Sequence, residues 1–229
     1  MIFILTSPHQ TCLFDQGSNG YRRTCDLVAS QAIDCLEKTL KFNHNQIYTF
    51  RGNIPRTICD LNRHSCRDQP FRQSIMNLIN WLTNNNREQE PIYHLDIHSF
   101  SPIEEQLDLD FFIIDENYPQ FDISNDDLEQ WQTSFTKANI MSELIPSLSQ
   151  QIIQDLSNNG YRGTIFPPSI NLEMGLASQH LNINDISYQL TRSLLPINSI
   201  LLEFSEDLTN QQINDICAHI GITLFNLNN

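Results

Sequence analysis

The chain has no long apolar run, no excess of positive charge and no linker, and each lack removes a class of function. Its first apolar stretch is only Ile2 to Leu5, with no basic segment before it, too short for a signal peptide or a membrane span. Lys and Arg total 13 against 27 Asp and Glu, so the formal net charge of −14 argues against nucleic acid or an anionic membrane as the main partner. The six cysteines (Cys12, Cys25, Cys35, Cys59, Cys66, Cys217) contain no CxxC pair and no regular framework spacing. Free thiols in a reducing, cytoplasmic setting are therefore expected. No Pro/Gly/Ser stretch, charge run or internal repeat divides the 229 residues, so residues 1–229 read as a single domain with one core.

What is present is an alternation of strand-like and helix-like segments. Ile2 to Leu5, Gln46 to Phe50, a short run from Thr57 to Leu61, the run ending at His98, Phe111 to Ile114, Ile200 to Phe204 and Ile222 to Phe225 read as strands. Between them, Cys25, Val28, Ala29, Ala32, Ile33, Leu36 and Leu40 fall at three- and four-residue spacing, with Thr24 as N-cap and Asp26 in the first helical turn. Arg67 to Leu82, Met141 to Leu156 (stopped by Gly160), Asn184 to Leu195 and Asn210 to Ile220 read as further helices. The segment after His9 through Gly17 and Gly20 and the segment Tyr161 to Asn171 read as loops, and Asp122 to Trp131 as an acidic loop or weak helix. Such an order implies an α/β fold, a three-layer α/β/α sandwich whose mixed, mostly parallel central sheet is covered on both faces.

Three of the strands end in metal-binding side chains. Ile2 to Pro8 leads to His9, Ile92 to Ile97 leads to His98, and Ser199 to Leu202 leads to Glu203. Ligands in open α/β sheets bind at the carboxyl ends of strands. Two imidazoles with a nearby carboxylate suit a divalent transition metal, zinc above all. His94 and Asp96 share a strand face with His98 and read as groups that pack behind it or orient it. The segment Arg56-Thr57-Ile58-Cys59-Asp60-Leu61-Asn62-Arg63 adds an anion-binding element, since arginine forks and an adjacent amide clamp carboxylates.

These landmarks, His9 in Ser-Pro-His, Asp26 in Thr-Cys-Asp, Arg56 ahead of Asp60-Leu61-Asn62-Arg63, Asp96-Ile97-His98-Ser99 and Leu202-Glu203, resemble those of the N-formylglutamate amidohydrolase family in order and spacing, from residue 7 to 203. The resemblance implies a zinc-peptidase (phosphorylase/hydrolase-like) architecture, related to zinc carboxypeptidases and aminoacylases, with residues 1–229 as one catalytic domain. It further implies a zinc ion held by His9, a carboxylate and His98. By its place in the pattern that carboxylate is Asp26, with Asp15 and Cys12 as rivals; Cys12 stands where metallocarboxypeptidases carry the Glu of His-x-x-Glu. Glu203 would act as general base, Arg56 would stabilise the oxyanion, and Asn62 and Arg63 would hold a substrate carboxylate. The implied reaction is hydrolysis of an amide bond adjacent to a free carboxylate, in an N-acyl amino acid or at the end of a peptide. The alternative is a binding or structural protein that keeps the fold without catalysis.

Overall fold

The structure, a computed structural model, describes residues 1–11, 14–17, 20–23, 25–41, 46–55, 58, 61, 69–85, 90–100, 109–114, 148–166 and 197–226. In chain order these form strands β1 (Ile2–Ser7), β2 (Phe14–Gly17) and β3 (Gly20–Arg23), helix α1 (Leu27–Lys41), strand β4 (Gln46–Arg51) and helix α2 (Pro70–Asn85). Strands β5 (Ile92–Phe100) and β6 (Phe111–Ile114), helix α3 (Leu148–Asn158), strands β7 (Gly163–Phe166) and β8 (Ile197–Ser205) and helix α4 (Asn210–Asn226) complete them.

Six strands make one sheet in the order β4-β1-β5-β8-β6-β7. The first four run parallel, β6 pairs antiparallel with β8, and β7 runs parallel with β6. Because side chains alternate across a strand, each strand serves both faces. On one face Phe3, Leu5, Leu95, Ile97, Leu202 and Phe204 pack with α1, α3 and α4. On the other, Ile2, Ile4, Ile92 and Ile197 pack with Phe71, Ile75, Ile79 and Leu82 of α2. This is the expected three-layer arrangement. All six residues of β1 are buried, which is why Ile2 to Leu5 form a continuous apolar run rather than an alternating one.

Several expectations need correction. Ile222 to Phe225 is the end of α4, not a strand: Ile213, Ile216, Ile220 and Leu224 continue a three- to four-residue spacing that is buried throughout, and this outweighs the β-branched local sequence. The segment from Tyr161 contains β7, a strand whose Thr164 and Ile165 are buried beside β6. The polar stretch after His9 holds an antiparallel hairpin, with Gly17 opposite Gly20. Asp26 lies just before α1 rather than in its first turn. In the short run from Thr57 to Leu61, Ile58 and Leu61 sit in turns, with the Ile58 N–H donating to the Pro55 carbonyl. Helix α3 begins at Leu148 within the described residues and runs to Asn158, and Gly160, with φ of 87°, ends it in the left-handed region. Thr24, residues 122–131, 141–147 and 184–195 lie outside the described residues. The cysteine expectation holds for Cys35 and Cys217, which are free, and fails at Cys25, which is disulfide-bonded.

One glycine ties the sheet to its carboxyl-end turn. The Gly52 N–H donates to the Ser7 carbonyl at 2.8 Å, and Thr11 Oγ1 donates to the Gly52 carbonyl at 3.1 Å. A Cβ at Gly52 would stand 1.8 Å from the Pro8 carbonyl oxygen, a backbone atom that has no room to rotate away. Gly52→Ala is therefore expected to destabilise the protein by roughly 1–3 kcal/mol, as overpacking does. A fall in the urea midpoint with an unchanged m-value checks it.

Candidate metal centre

The register of the parallel strands sets the site. β1 pairs with β5 so that Thr6 lies beside Asp96, and β5 pairs with β8 so that His98 lies beside Glu203. Alternation puts Thr6, His94, Asp96, His98 and Glu203 all on the α2 face of the sheet. All five are at most 1% exposed. His9 follows β1 in the turn at its carboxyl end, and the Asp26 N–H donates to the His9 carbonyl at 2.9 Å, which draws the start of α1 to the same place.

Three of these side chains converge. Asp26 Oδ2 lies 3.3 Å from His9 Nδ1 and 3.1 Å from His98 Nδ1, and the two imidazole rings stand edge to face with centroids 5.0 Å apart. The donor atoms of His9, Asp26 and His98 all lie within 4.8 Å of one another. Zinc bonds of about 2.05 Å arranged as a tetrahedron put neighbouring ligand atoms about 3.4 Å apart. The two observed N···O separations are close to that edge. Two imidazole nitrogens and one carboxylate oxygen form a donor set suited to zinc.

Behind the trio, hydrogen bonds fix proton positions. Thr6 Oγ1 donates to Asp96 Oδ1 at 2.5 Å, so its lone pair accepts from His94 Nε2 at 2.8 Å, which assigns His94 as the neutral Nε2–H tautomer. Asp96 Oδ2 lies 3.4 Å from His98 Nε2. That contact points the Nε2–H of His98 at a carboxylate and leaves Nδ1 aimed at the cluster.

The electrostatics follow the geometry. Burial alone would raise the Asp26 carboxyl pKa, but His9 and His98 outweigh it and hold it well below the usual carboxylate range. For Asp96 burial is likewise outweighed, by His98, His94 and Thr6, and its pKa falls to about 2. Burial would lower the His98 pKa, yet Asp96, Asp26 and Glu203 push it well above its ordinary value. His94 shows the opposite balance: desolvation dominates, the Asp96 charge offsets it only in part, and the pKa drops to about 4.

Not every expected site residue is brought in. Arg56, Asn62, Arg63 and Cys12 lie outside the described residues. Asp15 is in β2, in register with Arg22, and its side chain is likewise outside them. Glu206 accepts a hydrogen bond from Ser99 Oγ at 3.2 Å and is the more solvated of the two β8-end glutamates, as expected. Thr6 is the residue that the sequence reading passed over. Its signal was a polar residue on the same strand face as Ile2 and Ile4, three residues before His9.

No protein-family model matches the chain, and no curated protein matches it in sequence. Solved structures do. A gene product of Agrobacterium tumefaciens is similar at 14% identity and a TM-score of 0.57, over 99% of this chain and 92% of that one. An N-formylglutamate amidohydrolase from Ralstonia eutropha is similar at 12% identity and a TM-score of 0.49, over 98% of this chain and 92% of that one. The CwlD amidase of Clostridioides difficile, solved with the GerS lipoprotein, is similar at 12% identity and a TM-score of 0.46, over 98% and 96%. The first likeness is one of fold and agrees with the α/β architecture described above.

The neutral, buried state of His94 has a measurable consequence. Its folded pKa of about 4 lies below its unfolded value of about 6.5, so the unfolded chain takes up the proton first and stability drains as pH falls from 6.5 towards 4. Relative to His94→Gln, the wild type is expected to lose about 2 kcal/mol between pH 7 and pH 5. Urea unfolding of both proteins at the two pH values measures the difference.

Proposed function

We propose that the chain is a zinc-dependent hydrolase that cleaves an amide bond adjacent to a free carboxylate, with an N-acyl amino acid or the end of a peptide as substrate. The observation that carries this reading is the buried convergence of His9, Asp26 and His98 at the carboxyl ends of parallel strands. The ordered landmarks of the N-formylglutamate amidohydrolase family support it, since His9, Asp26 and His98 among them converge. His9, Asp26 and His98 would hold the metal, which supplies Lewis-acid polarisation and a water whose pKa is lowered to roughly 7.

The remaining steps belong to side chains of the chain. Glu203, buried and in register with His98, takes the proton of the attacking water and returns it to the leaving amine nitrogen. Arg56 offers its guanidinium to the oxyanion of the tetrahedral intermediate. Asn62 and Arg63 hold the substrate carboxylate, which orients the scissile bond and selects acidic substrates. Asp96, held by Thr6, positions the His98 ring without touching substrate.

Metal analysis of the purified protein is expected to find about one zinc per chain, lost in His98→Ala. Glu203→Gln should keep the metal and lower turnover of N-acyl amino acids by roughly 100-fold or more. Full zinc occupancy without hydrolysis across a panel of N-acyl amino acids and short acidic peptides would favour the binding-protein alternative. Asp96→Asn is expected to weaken zinc affinity about 10- to 100-fold with the fold intact, read by competition with a chromogenic chelator.

A further inference from the structure

Behind the proposed ligand His98, polar side chains line up along the α2 face of the sheet. His94, Asp96 and His98 stand at alternate positions of β5, and Thr6 of β1 is in register with Asp96. All four are at most 1% exposed. On the amino-end side the same face turns apolar at once, with Ile92 on β5 and Ile4 beside His94 on β1, both buried. Of the four, only His98 belongs to the proposed ligand set. Asp96 is one contact away, its Oδ2 3.4 Å from His98 Nε2. Thr6 and His94 lie further back and give the ion no ligand atom.

One hydroxyl sets the direction of this line. Thr6 Oγ1 stands 2.8 Å from His94 Nε2 and 2.5 Å from Asp96 Oδ1, and it has a single proton to give. In one arrangement the His94 Nε2–H donates to Thr6, and Thr6 donates to an ionised Asp96. In the reverse arrangement a protonated Asp96 donates to Thr6, and Thr6 donates to a bare His94 nitrogen. Only the first leaves Asp96 an acceptor at both oxygens with its full charge. The Nε2–H of His98 then meets a carboxylate rather than a neutral acid, and a charge-assisted hydrogen bond is roughly twice as strong. An imidazole held this way at one nitrogen is fixed in orientation and is a more basic ligand at the other.

We propose that His94 and Thr6 are positioning residues for the metal centre. The His94 N–H, passed on through the Thr6 hydroxyl, keeps Asp96 an acceptor and so holds His98 as a ligand. The inference rests on the zinc site proposed above and extends it by two residues, one on β1 and one a full two steps back along β5. It also gives these buried polar groups a purpose that the sheet does not supply. The strand ladder is made by backbone atoms, and an apolar pair would fill the same space between β1 and β5. His94 in its other tautomer would set a lone pair against the Thr6 oxygen, or draw the Thr6 proton away from Asp96 and leave that carboxylate oxygen without its donor.

Zinc affinity of the full chain, measured by competition with a chromogenic chelator, tests this. Thr6→Val keeps the shape and removes the hydroxyl, and it is expected to weaken zinc binding about 10-fold, whereas Thr6→Ser keeps the hydroxyl and should bind within about 2-fold of wild type. On an Asp96→Asn background, Thr6→Val should cost nothing further, because the hydroxyl acts through that carboxylate; a packing role would cost the same on both backgrounds. Should Thr6→Val fail to fold by circular dichroism, Thr6→Ala takes its place with the same expectations. Nitrogen-15 NMR of the histidine rings in the metal-free protein is a second readout, and it should find His94 as the Nε2–H tautomer. A wild type without zinc affinity would overturn the metal site and this inference with it. Zinc bound equally by wild type and Thr6→Val, an undiminished loss on the Asp96→Asn background, or His94 as the Nδ1–H tautomer would overturn this inference alone.

Discussion

A single carboxylate oxygen, Asp26 Oδ2, shared between two buried imidazoles is the interaction on which the rest of the site depends. Taking a carboxylate out of water is costly, and the surrounding protein must return that cost through charge and hydrogen bonds. Here the return comes from two chain segments far apart in sequence, the turn after β1 and the end of β5, so Asp26 can be buried only if strand register, the turn at Pro8 and the start of α1 are all correct together. Gly52 enforces the turn by leaving room for the Pro8 carbonyl, and the Asp26 to His9 backbone hydrogen bond pins the helix start.

The sheet's two faces divide the labour. The face towards α1, α3 and α4 carries Phe3, Leu5, Leu95, Ile97, Leu202 and Phe204 and supplies the larger core. The face towards α2 changes character along the strands: on β5 the residues at successive positions are Ile92, His94, Asp96 and His98, apolar at the amino end and charged at the carboxyl end. This gradient lets one strand anchor in the core and present a ligand without a break. Each polar step is supported by a neighbour on an adjacent strand, His94 by Thr6, Asp96 by Thr6 and His98 by Asp26 on the next element. The result is a row of fixed dipoles and charges whose order lowers the His94 pKa and raises that of His98.

Much of this was legible in the sequence, for definable reasons. Apolar runs ending in His9, His98 and Glu203 mark buried parallel strands, whose carboxyl ends are where chemistry sits, and α1 announced itself through spacing alone. Local pattern failed where tertiary context decided. Ile222 to Phe225 has the composition of a strand, yet the buried stripe of α4 runs through it, and Gly221 serves close helix packing rather than a break. Strand β7 was hidden by Gly163 and the following prolines. There the glycine answers to packing, since a Cβ would meet the Ile153 side chain at 2.9 Å. The part Thr6 plays depends on cross-strand register, which no single segment encodes.

The central claim is that the His9, Asp26 and His98 cluster is a metal site, and the nearest test is the metal's own view of its ligands. X-ray absorption at the zinc edge of the purified, zinc-loaded protein is predicted to show a low-coordinate light-atom environment with the multiple scattering of two imidazole rings and no sulfur neighbour. A thiolate signal at about 2.3 Å would move the site to a cysteine, and a six-oxygen shell without imidazole scattering would contradict the account outright.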